Sequence, residues 1–408
     1  MHLLYILLIL LIVTRTFSEV AVRMKLPPLV GELLGGILLG VGVAAFADSS
    51  VALANLDSDN TFQAVLDLAV FFLMLLAGIE MRPKDIAGAS AQAIPIAVVG
   101  MIVPLALGLA LGWWWLPDSQ WKLAQCLFIG VALAVTAVPV AVKVLLDLGQ
   151  LQSRVGQVIV AAAVLDDVMS LVLLAILTAV ISSNDSITLA LVASIGAKVA
   201  VFFVVAWVSG RYVLPVAGKY VRQLDMEHAE FSLLIVYGLA LSVLAELLEM
   251  HFLIGAFAAG VFFNRNVVGS KTYDRLKSQT EALTMGFLAP VFFASIGIHL
   301  NLAAVVEIPI FLLILLVAAT LGKLAGAGLT ARFASFTTRE AISIGAAMNA
   351  RGAVEIIIAG IALRAGLFSN PQPAPPAIEY LFSAIVIMAI VTTLATPVAL
   401  QVLLSGKK

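Results

Sequence analysis

Thirteen apolar runs divide the chain, at roughly 2–22, 28–46, 61–79, 91–115, 122–145, 155–182, 187–214, 231–249, 252–264, 281–299, 306–331, 339–365 and 377–404. Most approach the ~20 residues that a helix needs to cross a bilayer. The connections between them are short, so no soluble domain is inserted. The run at 252–264 is the shortest, and it spans only if His251 and its neighbours lie at the interface. The pattern predicts an all-α polytopic membrane protein with 13 transmembrane helices. Composition points the same way. The chain is 62% hydrophobic and 12% charged, against about 25% charged residues in a soluble domain.

Charge adds an orientation. With the N-terminus placed outside, 17 of the 23 Lys and Arg fall on the cytoplasmic side. Only Lys122 and Arg364 fall outside, and Arg15, Lys198, Lys323 and Arg351 lie within spans. This is the positive-inside asymmetry. An odd number of spans preserves it and puts the C-terminus in the cytoplasm. The net charge of −1 gives no reason to expect nucleic acid as a partner. A single cysteine, Cys126, excludes an internal disulfide and a cysteine-based metal cluster, and four His make a His-rich metal site unexpected. Leu3 to Val13 has no basic residue ahead of it and no small-residue cleavage site, so it reads as a first span rather than a signal peptide.

The polar residues inside the apolar runs carry the chemistry. Asp166 and Asp167 sit near the middle of Gly156 to Ser182. An acid at that depth costs at least ~2.5 kcal/mol and is a functional-site candidate by default. Neighbours on a helix point about 100° apart, so one acid can face a pathway and the other a partner. The fifth run contains Thr136-Ala137-Val138-Pro139. Pro139 has no N–H to give the Val135 carbonyl, so the helix breaks there. The twelfth contains Asn349-Ala350-Arg351-Gly352 at similar depth. Taken singly, a proline kink or a tolerated glycine is the minor alternative for each break. Paired interruptions in two halves point to an inverted-repeat transporter with its site at the midplane.

Lys323 lies among Gly and Ala in the eleventh run, where Asp166 or Asp167 is a natural partner and snorkelling to the interface is the alternative. Lys198 has no evident partner and is expected to snorkel or make a structural hydrogen bond. Arg351 and Glu355, four apart, can pair on one helix face as a structural ion pair. Glu32, Asp67 and Glu80 lie near span ends and read as interface or packing residues. Phe71–Phe72 and Phe292–Phe293 read as lipid-facing or core. The chain contains no GxxxxGK[ST], HExxH or GxSxG. It is therefore not expected to be an enzyme, and an ion gradient is the expected energy source.

Several segments resemble the monovalent cation–proton antiporter superfamily, in the branch with bacterial sodium/proton antiporters, glutathione-gated potassium efflux systems and plant cation/proton exchangers. They are LPPLVGELLGGILLG at 26–40, FLMLLAGIE at 72–80, Gly255 to Gly260 (GAFAAG) and Pro290 to Gly297 (PVFFASIG), in this order around the Asp pair. The resemblance implies that Asp167 binds cation and proton alternately, that Asp166 pairs with Lys323, and that Thr136 lies in an unwound crossover. The twelfth span reads RGAVE rather than the Arg-Gly-Glu of many bacterial members, which weakens a carried-over role for Glu355.

The resemblance further implies two inverted six-helix repeats with discontinuous crossing helices. Ala137, Val138, Pro139, Asn349, Arg351 and Gly352 would form the crossing. Scaffold and dimer spans would occupy 1–90 and 231–304, core spans 91–185 and 305–408, and a linking span 186–230. The implied activity is electrogenic exchange of Na⁺ or Li⁺ for H⁺ by alternating access, with Asp167 holding the transported cation and no cofactor. A K⁺/H⁺ antiporter, a sodium-coupled organic solute carrier, and a channel or sensor remain open. A homodimer in contact with membrane lipid, without nucleic acid, is expected in a bacterial inner membrane. No soluble regulatory domain of the kind that gates potassium efflux is expected in this chain.

Overall fold

The computed structural model describes residues 2–24, 27–45, 60–81, 92–136, 141, 145, 150–183, 189–223 and 226–404. Ala137, Val138 and Pro139 lie outside them. The described residues are helical and contain no strand. In chain order the main helices are α1 (His2–Arg23), α2 (Pro28–Ala45), α3 (Asn60–Glu80), α4 (Ala93–Trp115), α5 (Lys122–Ala134) and α6 (Arg154–Ser183). Then comes α7, which runs from Leu189–Val208 through a π turn at Ser209–Val213 into Leu214–Val221. It is followed by α8 (Ala229–Leu247), α9 (Phe252–Phe262), α10 (Ser270–Ile298), α11 (Pro309–Phe333), α12 (Thr338–Ala347), α13 (Ala353–Arg364) and α14 (Leu381–Leu404). Among the described residues, nine helices are long and apolar enough to cross a membrane, and three shorter apolar helices accompany them at Pro28–Gly40, Lys122–Ala134 and Phe252–Phe262.

The chain forms two compact units. One comprises Met1–Pro83 and Leu189–Leu300, the other Lys84–Thr188 and Asn301–Lys408. In the first unit, α2 packs between α1 and α10, and α9 between α3 and α8. The glycines of the motif at 26–40 explain the close fit. A Cβ on Gly36 would collide with the Ala294 carbonyl of α10, so only glycine lets these backbones touch. Gly78, at the end of the motif at 72–80, meets Phe257 and Gly260 of α9 in the same way. The two Phe pairs are buried, each edge-to-face, with ring centroids 5.4 Å apart at Phe71–Phe72 and 5.3 Å at Phe292–Phe293. They are core rather than lipid-facing. Glu32 is buried and pairs with Arg15 at 3.7 Å, Glu80 pairs with Lys277 at 3.6 Å, and Lys198 finds Glu249.

In the second unit, α4 packs against α5, α6 and α11, and α12 against α14 and α11. A π turn at Leu324–Leu329 follows Lys323 directly within α11. Such turns widen a helix locally and are frequent at functional sites. Two of this unit's spans are interrupted. Helix α5 ends at Ala134, and Val135 is extended, with ψ 142°. Helix α12 starts at a capping box, in which Thr337 and Glu340 satisfy each other's backbone N–H. It ends at Ala347, and Gly352 is extended, with φ −166° and ψ −154°, before α13 begins.

Candidate functional site: two interrupted helices locked by Arg351, Lys323 and Thr136

A helix end leaves its last four carbonyls without intrahelical donors. In hydrocarbon there is no water to take their place, so protein groups must. For α5 those carbonyls belong to Ala132, Leu133, Ala134 and Val135, and every one is bonded. The Arg351 guanidinium donates to Ala132, to Val135 at 3.0 Å and to Leu133 at 2.7 Å, and the Lys323 ammonium donates to Ala134. Arg351 thus supplies the Val135 carbonyl with the donor that Pro139, four residues on, lacks. Two cations at the C-terminal end of a helix also oppose its dipole favourably.

The locking is mutual. Thr136, just beyond the end of α5, donates its hydroxyl to the Met348 carbonyl at the end of α12, at 2.9 Å. The same oxygen accepts from Lys323 at 2.7 Å. A hydroxyl oxygen has two lone pairs, so one remains open. On the other side, the Thr393 hydroxyl of α14 lies 2.8 Å from the Arg351 carbonyl and 2.6 Å from that of Ala389, and shares its hydrogen between them. Asn349 donates its amide to Thr320 at 3.3 Å.

The acids stand beside this crossing. Asp166 is wholly buried and lies 3.5 Å from the Lys323 ammonium, an ion pair without hydrogen-bond geometry. Asp167 is only half-buried. The two neighbours therefore divide as the 100° step allows, one towards the lysine and one towards more open space. The structure brings Thr136, Asp166, Lys323 and Arg351 into one cluster. Arg351 and Glu355 do pair, at 3.7 Å, but not along one helix face, because Gly352 breaks the helix between them. Nor is the pair self-contained, since the donors of Arg351 go to α5.

Met348, Thr393 and Thr320 were not legible as site residues. The Thr392-Thr393 step in a largely apolar span was an available signal. Among the described residues, several buried polar atoms here have no hydrogen-bond partner. They are both oxygens of Asp166, Ser170 Oγ, Asn349 Oδ1, Arg351 Nε and both oxygens of Glu355. Buried polar groups are otherwise nearly always paired, so these atoms stand out in the second unit.

The profile of the family described as "Sodium/hydrogen exchanger, transmembrane" matches residues 6–406. The chain belongs to this family. Its curated relatives include the Na⁺/H⁺-K⁺ antiporter GerN of Bacillus cereus, 28% identical over 98% of this chain and 95% of that protein. They also include a Na⁺/H⁺ antiporter of Enterococcus hirae, 28% identical over 97% of this chain and 96% of that protein. The fold of this exchanger-family chain is similar to that of the sodium proton antiporter MjNhaP1 from Methanocaldococcus jannaschii. The TM-score is 0.70 at 16% identity, covering 100% of this chain and 99% of the other.

Proposed function

We propose that the protein exchanges Na⁺ for H⁺ across the membrane by alternating access, with Asp167 as the carboxylate for which the two ions compete. The carrying observation is a half-buried Asp167 next to a buried Asp166–Lys323 pair, at the crossing of two interrupted helices in an exchanger-family chain. A hard monovalent cation takes oxygen ligands. Asp167 supplies the charge and Thr136 one lone pair. The last carbonyls of α5 are already engaged, so water completes the shell. Sodium-driven proton flux in proteoliposomes tests this, with Li⁺, Na⁺, K⁺ and Rb⁺ offered in turn and no organic solute present. No flux with any of them sinks antiport and returns the organic solute carrier. A preference for K⁺ favours the second reading, a K⁺/H⁺ antiporter, which the name of GerN motivates.

Lys323 makes the exchange electrogenic in this reading. A cation at Asp167 weakens the hold of Asp166 on the lysine, which then gives up a proton of its own. Lys323→Gln is expected to yield slower exchange that no longer responds to membrane potential. Flux measured at several clamped potentials reads this, and unchanged voltage sensitivity leaves Lys323 a structural role only. Loss of a buried ion-pair partner should also cost about 3–5 kcal/mol.

In the accompanying architecture, the nine long spans, the three short ones and the interrupted α12–α13 pair make thirteen crossings in two inverted six-helix repeats. The unit of Lys84–Thr188 and Asn301–Lys408 moves as a core. The other unit serves as scaffold and as the face between two copies in a bacterial inner membrane. The N-terminus is outside and the C-terminus cytoplasmic, as the basic residues indicate. Reporters fused after Ala54 and after Lys408 should then report opposite sides of the membrane; the same side for both removes the odd count.

A further inference from the structure

Glu355 has no part in the exchange just described, yet its surroundings are unusual. Its side chain is 1% exposed. It sits in the first turn of α13, immediately after the second interruption. Neither carboxyl oxygen has a hydrogen-bond partner among the described residues. Its ion-pair partner, Arg351 Nε, is 3.7 Å away and equally unpartnered, because the terminal nitrogens of that guanidinium are turned to the end of α5. Among the described residues, neither α14 nor α5, which pack against α13, brings another charge close. Helix α14 carries no charged residue, and the single charge of α5, Lys122, is at its far end on Asp118. Besides Arg351, the Lys323 ammonium, itself paired with Asp166, is the charge that acts on Glu355 through space.

A buried carboxylate with no donors is costly, and one of two changes removes the cost. Either a proton neutralises it, or the guanidinium swings in to give it a charge-assisted hydrogen bond. The second change takes donors from the carbonyls of Ala132, Leu133 and Val135. We propose that Glu355 is a second proton-binding site, separate from the aspartate pair, and that its proton occupancy sets how firmly Arg351 holds the end of α5. A proton on Glu355 leaves Arg351 to the carbonyls. Its loss turns Arg351 towards Glu355 and loosens the crossing. The ligand is H⁺ alone, since the adjacent guanidinium repels a metal cation.

The inference rests on the exchange reading only for its consequence, and its test does not need transport. Infrared difference spectra of the reconstituted protein between acid and alkaline pH should contain a protonated-carboxyl band that is lost in Glu355→Gln. The band should persist in Asp167→Asn and should not change when saturating Na⁺ is added. Glu355→Asp should keep a band at a shifted frequency, which separates loss of the site from loss of the fold. A wild-type spectrum without such a band, or a band unchanged in Glu355→Gln, overturns the proposal even if sodium–proton exchange is intact. If exchange is absent and the Glu355 band is present, the transport reading fails and the proton site stands. In an exchanging protein, Glu355→Gln should also remove one titration step from the pH profile of flux.

Discussion

Asp167→Asn is expected to bring sodium-driven proton flux down to that of empty liposomes while the protein still folds. The amide is isosteric, and the position is half-buried with no hydrogen-bond partner among the described residues, so little packing is lost. In the proposed reading, what disappears is the charge that cation and proton contest. Asp166 cannot replace it, because it is fully buried and 3.5 Å from Lys323. The stability of the variant should equal or exceed that of wild type, since a like charge beside Asp166 has been removed. Thermal unfolding in detergent and proteoliposome flux read the two parts separately. Robust exchange in this variant rules out Asp167 as the carrier.

Arg351→Ala should be the most damaging single change in the second unit. It orphans the buried carbonyls of Ala132, Leu133 and Val135 and leaves the Glu355 carboxyl without its paired cation. An orphaned buried acceptor costs about 1–3 kcal/mol. The combined loss should therefore exceed ~3 kcal/mol even with partial relaxation, and flux should vanish with it. Arg351→Lys keeps the charge but lacks the planar fork that serves several carbonyls at once, so it should recover only part of the stability. Wild-type melting and flux in Arg351→Ala means that the end of α5 is satisfied in some other way.

Much of this was readable from residues alone. The long spans declare themselves by length and hydropathy, and the acids, Lys323 and the interruptions stand out because polar groups in hydrocarbon are expensive. What could not be read was the facing of helices. A helix such as α4 or α9 is apolar all round, so periodicity does not reveal which side meets which neighbour. Arg351 shows the consequence. Its spacing from Glu355 suggested a pair along one helix, whereas three of its donor contacts cross to α5, more than two hundred residues away in sequence. A physical signal did exist. A helix broken mid-membrane leaves four carbonyls that must find cations or other donors, and few cations lie within the spans of this chain. The tight contacts at Gly36 and Gly78 were likewise invisible as distances, although the glycines themselves were not.

The exchange of bonds between the interruptions has a consequence for how such a protein can change over generations. Thr136 closes one interruption onto Met348, and Arg351 closes the other onto Ala132, Leu133 and Val135, so rewinding either helix breaks bonds that its counterpart needs. The two segments, 212 residues apart between Thr136 and Met348, form a single mutational unit. A substitution that would be harmless in a continuous helix becomes harmful in either segment unless the other is altered with it. The paths by which the crossing could be lost or remodelled therefore pass through paired changes, and isolated drift in one interruption is strongly constrained by the other.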